Sequence, residues 1–179
     1  LHGLTQYGPN LVYQGQSGAI NEAFSDKLGI AVEHELLGES DPKTSNWFLA
    51  HEILTDYFKQ KAGAKGLRSF TDEPAYKGED NPRHMKQVPW YGYFPWDDNA
   101  GVHRLSTMLN VAFRLYCVGM REPSYGKPSQ IAYHAHLKLK SNSNFKDLAK
   151  AEISTARELY GEAEAKIVED AYRSVGILK

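Results

Sequence analysis

The return of apolar residues at three- and four-residue intervals constrains this chain more than any other feature. Leu105, Met108, Leu109, Ala112, Phe113 and Tyr116 follow i, i+3, i+4, i+7 order, with Gly119 placed to close the run. That spacing lines one face of an α-helix and no face of a strand. A second stripe, Ile20, Phe24, Leu28, Ala31 and Val32, predicts a helix over 17–38, capped by Ser17 and stopped by Gly38. Asn144 is placed to cap a third helix that runs through Tyr160 to Gly161, the stretch Ile131 to Lys140 carries a weaker stripe, and Ala163, Ile167, Ala171 and Val175 mark the last. Strand alternation is scarce. The expected fold is therefore mainly α: a bundle of about five helices, each burying one stripe against its neighbours.

Two stretches interrupt this texture. From Trp47 to Lys61 the apolar residues fit neither the helix nor the strand period, and the element stays undecided. From Thr71 to Gly101 the chain carries Pro74, Pro82, Pro89 and Pro95 among tryptophans and tyrosines, which predicts a long ordered loop.

The chain has 179 residues, 41% of them hydrophobic, enough for a core of ordinary size. Lysine and arginine number 21 against 22 aspartates and glutamates, a balance that gives no reason to expect a nucleic-acid partner or an anionic membrane surface. No apolar run approaches the ~20 residues that span a bilayer. The single cysteine, Cys117, lies in the apolar stretch from Val111 to Val118 and reads as a small buried hydrophobe.

Glu22, Asp26 and Glu33 fall at i, i+4 and i+11 along the first predicted helix, so three carboxylates lie nearly in line. On the residues alone, a solvated acidic face is the better reading. The alternative is that they bind a metal or orient its ligands, since carboxylate oxygens serve zinc and calcium.

The surrounding text changes the balance. Asn21-Glu22-Ala23-Phe24-Ser25-Asp26 is similar to the Asn-Glu-x-x-Ser-Asp signature of the thermolysin family. In that family a helix carries H-E-x-x-H, and the glutamate of the second signature is the third zinc ligand. His2 precedes Glu22 by 20 positions, the family's spacing, so Leu1 matches the last x. The expectation is that the chain is cut inside the motif, with the first histidine and the catalytic glutamate upstream. The resemblance continues through Leu11-Val12-Tyr13-Gln14, Leu67-Arg68-Ser69, Asp98 to His103, and Ser143-Asn144-Phe145. It implies one domain over residues 1–179, an orthogonal helical bundle like the carboxy-terminal domain of that family.

What the resemblance implies for the site is specific. His2 and Glu22 resemble zinc ligands, and Asp26 the carboxylate that holds a zinc histidine. Tyr13 and His103 resemble the pair that donates hydrogen bonds to the oxyanion, with Asp98 holding His103. Arg68 resembles the arginine that binds the substrate carbonyl, and Leu67 with Ile53 would line the pocket for a bulky side chain. Without the resemblance each has a plainer reading: a surface histidine, a half-buried aromatic, an ion pair.

Two departures stand out. Arg104 and Leu105 follow His103 where the family has a small polar pair. Glu33 matches a calcium ligand, but Phe48 and His51 stand where carboxylates are expected, so the calcium site is expected to be weakened or absent. The implied activity is zinc-dependent hydrolysis of peptide bonds by a secreted protease, with a peptide substrate and an amino-terminal half as partners. The chain alone is expected to be inactive. The rival is a non-catalytic helical module that only binds peptides.

Overall fold

The computed structural model describes residues 2–90 and 92–179, except for the side chains of His2 and Leu4. In chain order the helices are α1 (His2–Tyr7), α2 (Gly15–Leu37), α3 (Asp56–Ala62), α4 (Asp98–Met120), α5 (Lys127–His136), α6 (Phe145–Tyr160) and α7 (Glu162–Ser174). Five long helices make the expected mainly α bundle, and α1 and α3 are short additions.

The undecided stretch near Trp47 resolves into three small pieces: strand β1 (Phe48–Leu49), a 3-10 turn (His51–Ile53) and α3. β1 pairs antiparallel with β2 (Arg68–Ser69), Leu49 opposite Arg68. Two-residue strands are too short to leave a period in sequence. The proline-rich stretch is irregular as expected, broken by one 3-10 turn at Met85–Gln87.

The stripe placed at Ile131 to Lys140 forms α5 over Lys127–His136, and two further predicted helix ends are corrected. Ser17 is not the cap of α2: Gln14 precedes the helix in extended conformation, and Ser17 lies inside the first turn. Its hydroxyl donates back to the Val12 carbonyl at 2.7 Å and the Gln14 carbonyl at 3.0 Å. Gly119 does not stop α4, because Arg121 takes the left-handed cap position at φ 57°. The glycine serves packing instead. A Cβ there would stand 2.6 Å from Ile167 Cγ2, so its absence lets α4 and α7 close up. Asn144 does cap α6: its side chain accepts from the backbone N–H groups of Lys146 and Asp147, and Asp147 returns the contact.

α2 lies at the centre, packed chiefly along α4, while α6 pairs with α5 and α7. With Ile20 and Ala23, α2 buries Glu22, Asp26 and Lys27, whereas Val32, expected in its apolar stripe, is 55% exposed. Burial of Glu22 and Asp26, each 3% exposed, rules out the solvated acidic face. Lys27, at 2% exposure, donates to Glu152 Oε1 of α6 at 2.6 Å. Tyr172 of α7 donates to Glu152 Oε2 at 2.7 Å, so three helices meet on one buried carboxylate. Burial, then Glu152, pushes the Tyr172 hydroxyl well above its ordinary range.

Candidate active site

Four separated segments bring polar side chains together beside the amino-terminal half of α2. Tyr13 comes from the turn before it, Glu22 and Asp26 from the helix itself, Asp26 at its middle, Arg68 from β2, and Asp98 with His103 from the start of α4. The ribbon holds Arg68 against α2: Leu67 N–H donates to the Leu49 carbonyl and Phe70 N–H to the Trp47 carbonyl, both at 2.9 Å.

Arg68 joins the two buried carboxylates. Its Nε lies 2.9 Å from Asp26 Oδ1 and 2.7 Å from Oδ2, and Nη2 donates to Glu22 Oε2 at 3.2 Å. Burial alone would lower the guanidinium, but the charge and hydrogen bond of Asp26 outweigh it and raise it. For Asp26 burial wins, and its carboxyl is raised despite Arg68 and Asn110. Asn110 of α4 donates to Asp26 Oδ2 at 2.8 Å and was not singled out from sequence. Its signal was there: a polar residue inside the apolar stripe of α4, where burial demands a partner. Among the described residues, Asp26 accepts from Arg68 and Asn110.

Tyr13 donates to Glu22 Oε1 at 2.6 Å and lies 3.3 Å from His103 Nε2. Burial first, and then this bond to a carboxylate, push the tyrosine hydroxyl above its ordinary range, so it keeps its proton. His103 stands between two carboxylates. Nδ1 lies 2.5 Å from Asp98 Oδ1 and Nε2 3.3 Å from Glu22 Oε2. Asp98 also accepts the backbone N–H groups of His103 at 2.9 Å and Arg104 at 3.3 Å, which caps the regular part of α4. To reach them the chain passes through Asp98, Asn99, Ala100 and Gly101 with φ of 54°, 49°, 63° and 80°. Tyr93 packs where a side chain on Gly101 would stand.

Glu22 and Tyr13 border a cleft of about 360 Å³ whose other walls include Thr5 and Gln6 of α1, Asn10, Leu11 and Asn21. Leu67 is half exposed beside Arg68, and Ile53 is 75% exposed on its 3-10 turn; neither lines this cleft. The expectation for the His2 side chain lies outside the described residues. Among the described residues no three histidine, cysteine or carboxylate side chains come together to hold a metal. Glu22 presents a buried carboxylate whose oxygens are held by Tyr13 and Arg68, a donor type that suits zinc. Glu33 accepts from Ala50 N–H at 3.1 Å, and its other oxygen faces His51 Nδ1 at 2.6 Å, outside hydrogen-bond angles.

Comparison with known proteins gives the class: the fold is that of a metallopeptidase helical domain. The chain is 35% identical over 179 residues to an extracellular elastase of Staphylococcus epidermidis, with 98% of the chain and 30% of the elastase covered. It is 29% identical over 184 residues to an extracellular metalloprotease of Pectobacterium carotovorum subsp. carotovorum, covering 98% of the chain and 50% of that protein. The solved precursor of protealysin, a metalloproteinase from Serratia proteamaculans, superposes with a TM-score of 0.87 at 27% identity, over 99% of the chain and 55% of the precursor. Residues 9–177 match the thermolysin metallopeptidase, alpha-helical domain. The chain belongs to that family, and it spans about a third to a half of the length of the relatives it matches.

Proposed function

We propose that this chain is the carboxy-terminal half of a secreted, zinc-dependent endopeptidase and works with an amino-terminal half of the same protein. Glu22 and His2 would hold zinc, together with a ligand from the other half. Zinc bound there would supply a Lewis acid that polarises a peptide carbonyl and acidifies water.

The rest belongs to residues of this chain. Tyr13, its hydroxyl turned from Glu22 Oε1 to the substrate, and His103 donate hydrogen bonds to the carbonyl oxygen as negative charge develops on it. Asp98 fixes the ring of His103 through Nδ1, which leaves Nε2 turned to Tyr13 and Glu22. Arg68 braces Glu22 and Asp26 and offers its remaining N–H groups to a substrate carbonyl. Leu67 and Ile53 contribute apolar surface for a bulky side chain. Calcium is not assigned, because Phe48 and His51 stand where carboxylates would have to join Glu33.

One observation carries this reading: Tyr13, Glu22, Arg68, Asp98 and His103, spread over 90 positions, lie in one hydrogen-bonded cluster. The test is His103→Ala in the full-length protein. Turnover should fall by about 10² to 10³ with KM little changed, since the oxyanion exists only near the transition state. Parental turnover would favour the non-catalytic, peptide-binding reading.

A further inference from the structure

We propose that His136 is a positioning residue for the metal-binding helix α1 and acts through Thr5. The inference rests on the reading of His2 as a zinc ligand. α1 meets the rest of the fold beside the cleft, and contacts made there help to set its rotation.

Thr5 supplies such a contact. It is 1% exposed, and its Oγ1 lies 3.0 Å from Nε2 of His136, the last residue of α5, 131 positions away. Thr5 also lines the cleft that holds Tyr13 and Glu22. Position 2 precedes Thr5 by three residues, one turn earlier on the same helix. Whatever fixes the rotation of α1 at Thr5 therefore fixes it at position 2.

The imidazole is itself clamped. His136 is 1% exposed and stacks on Phe24 of α2, with ring centroids 3.7 Å apart and planes 4° from parallel. Phe24 is two residues beyond Glu22, so the helix that presents the carboxylate also holds the ring that holds α1. Packing alone gives no reason for nitrogen at this place. Nδ1 of His136 is buried with no hydrogen-bond partner among the described residues, a burden that a phenylalanine of similar shape would not carry. What the imidazole gains over phenylalanine is the contact to Thr5. Burial, and next the charge of Lys27, lower its pKa to about 4, so the ring is neutral at ordinary pH and shares a single hydrogen with the threonine.

The test compares three variants of the full-length protein. His136→Phe keeps the stack on Phe24 and loses the polar contact, Thr5→Val loses the contact from the other side, and the third combines them. Zinc affinity is read by chelator competition, hydrogen exchange over residues 2–7 by mass spectrometry, and kcat and KM separately. Each single variant should bind zinc about tenfold more weakly and exchange faster in α1 while α2 and α4 stay protected. The double variant should be no worse than either single one, because both remove the same contact. If His136→Phe lowers the stability of the whole domain, Thr5→Val, which leaves the stack in place, decides. Parental zinc affinity and exchange in Thr5→Val and His136→Phe would overturn the proposal. His2→Ala separates the two readings: retained zinc there overturns the metal assignment itself, whereas zinc lost there but kept in the His136 and Thr5 variants overturns the positioning role alone.

Discussion

Replacing Lys27 by methionine should destabilise the domain strongly, and replacing Glu152 by glutamine in the same chain should restore much of the loss. Lys27 Nζ and Glu152 Oε1 are 2.6 Å apart at 2% and 1% side-chain exposure. At an effective dielectric of about 20, that separation corresponds to roughly 6 kcal/mol of attraction. Most of it is consumed in removing both charges from water, so the intact pair contributes little net stability. Breaking it is another matter. Methionine matches the lysine stem in bulk but leaves the buried Glu152 carboxylate without its cation, a cost of about 3 to 5 kcal/mol. For a chain of 179 residues this lowers Tm by roughly 10 °C. A glutamine at 152 still accepts from Tyr172 and buries no charge, so the double variant should regain about half of the loss. Thermal melts followed by circular dichroism, with urea titrations alongside, measure both. The reasoning fails if the single and double variants melt together, or if Lys27→Met melts like the parent.

Acid should weaken the fold through His136. Its pKa is about 4 in the folded chain, so the unfolded chain takes up a proton near pH 6.5 and the folded one does not. The stability it contributes is complete above about pH 6.5 and is lost as pH falls to about 4, some 3 kcal/mol in all. Urea unfolding across that range should show the slope in the parent and lack it in His136→Phe. Arg68→Ala strands Glu22 and Asp26 without their cation and should cost about 3 kcal/mol, with Lys restoring only part, since one ammonium cannot span both carboxylates. The chain by itself should give a helical circular-dichroism spectrum, hold zinc weakly after dialysis and cleave no generic peptide, because it contains no complete H-E-x-x-H. Tight stoichiometric zinc with cleavage would contradict that.

Much of the fold was legible because local rules decide it. The stripe from Leu105 to Tyr116 and the cap at Asn144 act over a few residues, and both are where the spacing puts them. Glu22, Asp26 and Arg68 were legible through the signature around them, and their mutual contacts follow from it. Gly119 was misread because a glycine that ends a helix and one that admits a neighbouring helix look alike in sequence. The contacts of Lys27 with Glu152, and of Thr5 with His136, join positions more than 120 apart, and no local period carries such information. The ribbon that sets Arg68 was hidden for the opposite reason, its strands being only two residues long.

The left-handed turn at Asp98 to Gly101 bears on any attempt to toughen this domain. Three of its four residues carry side chains at φ values that favour glycine, each at a cost of about 1 to 3 kcal/mol. A designer seeking heat tolerance would be drawn to Asn99→Gly or Ala100→Gly, since relief of that strain is among the cheapest gains open in the chain. The same turn is what carries the Asp98 carboxylate to His103 N–H, His103 Nδ1 and Arg104 N–H. A glycine there would relax the backbone and free it to wander, so hardiness gained at this corner would come with a looser imidazole. Thermostable variants of this chain should therefore be sought among the caps and pairs of α6 and α7.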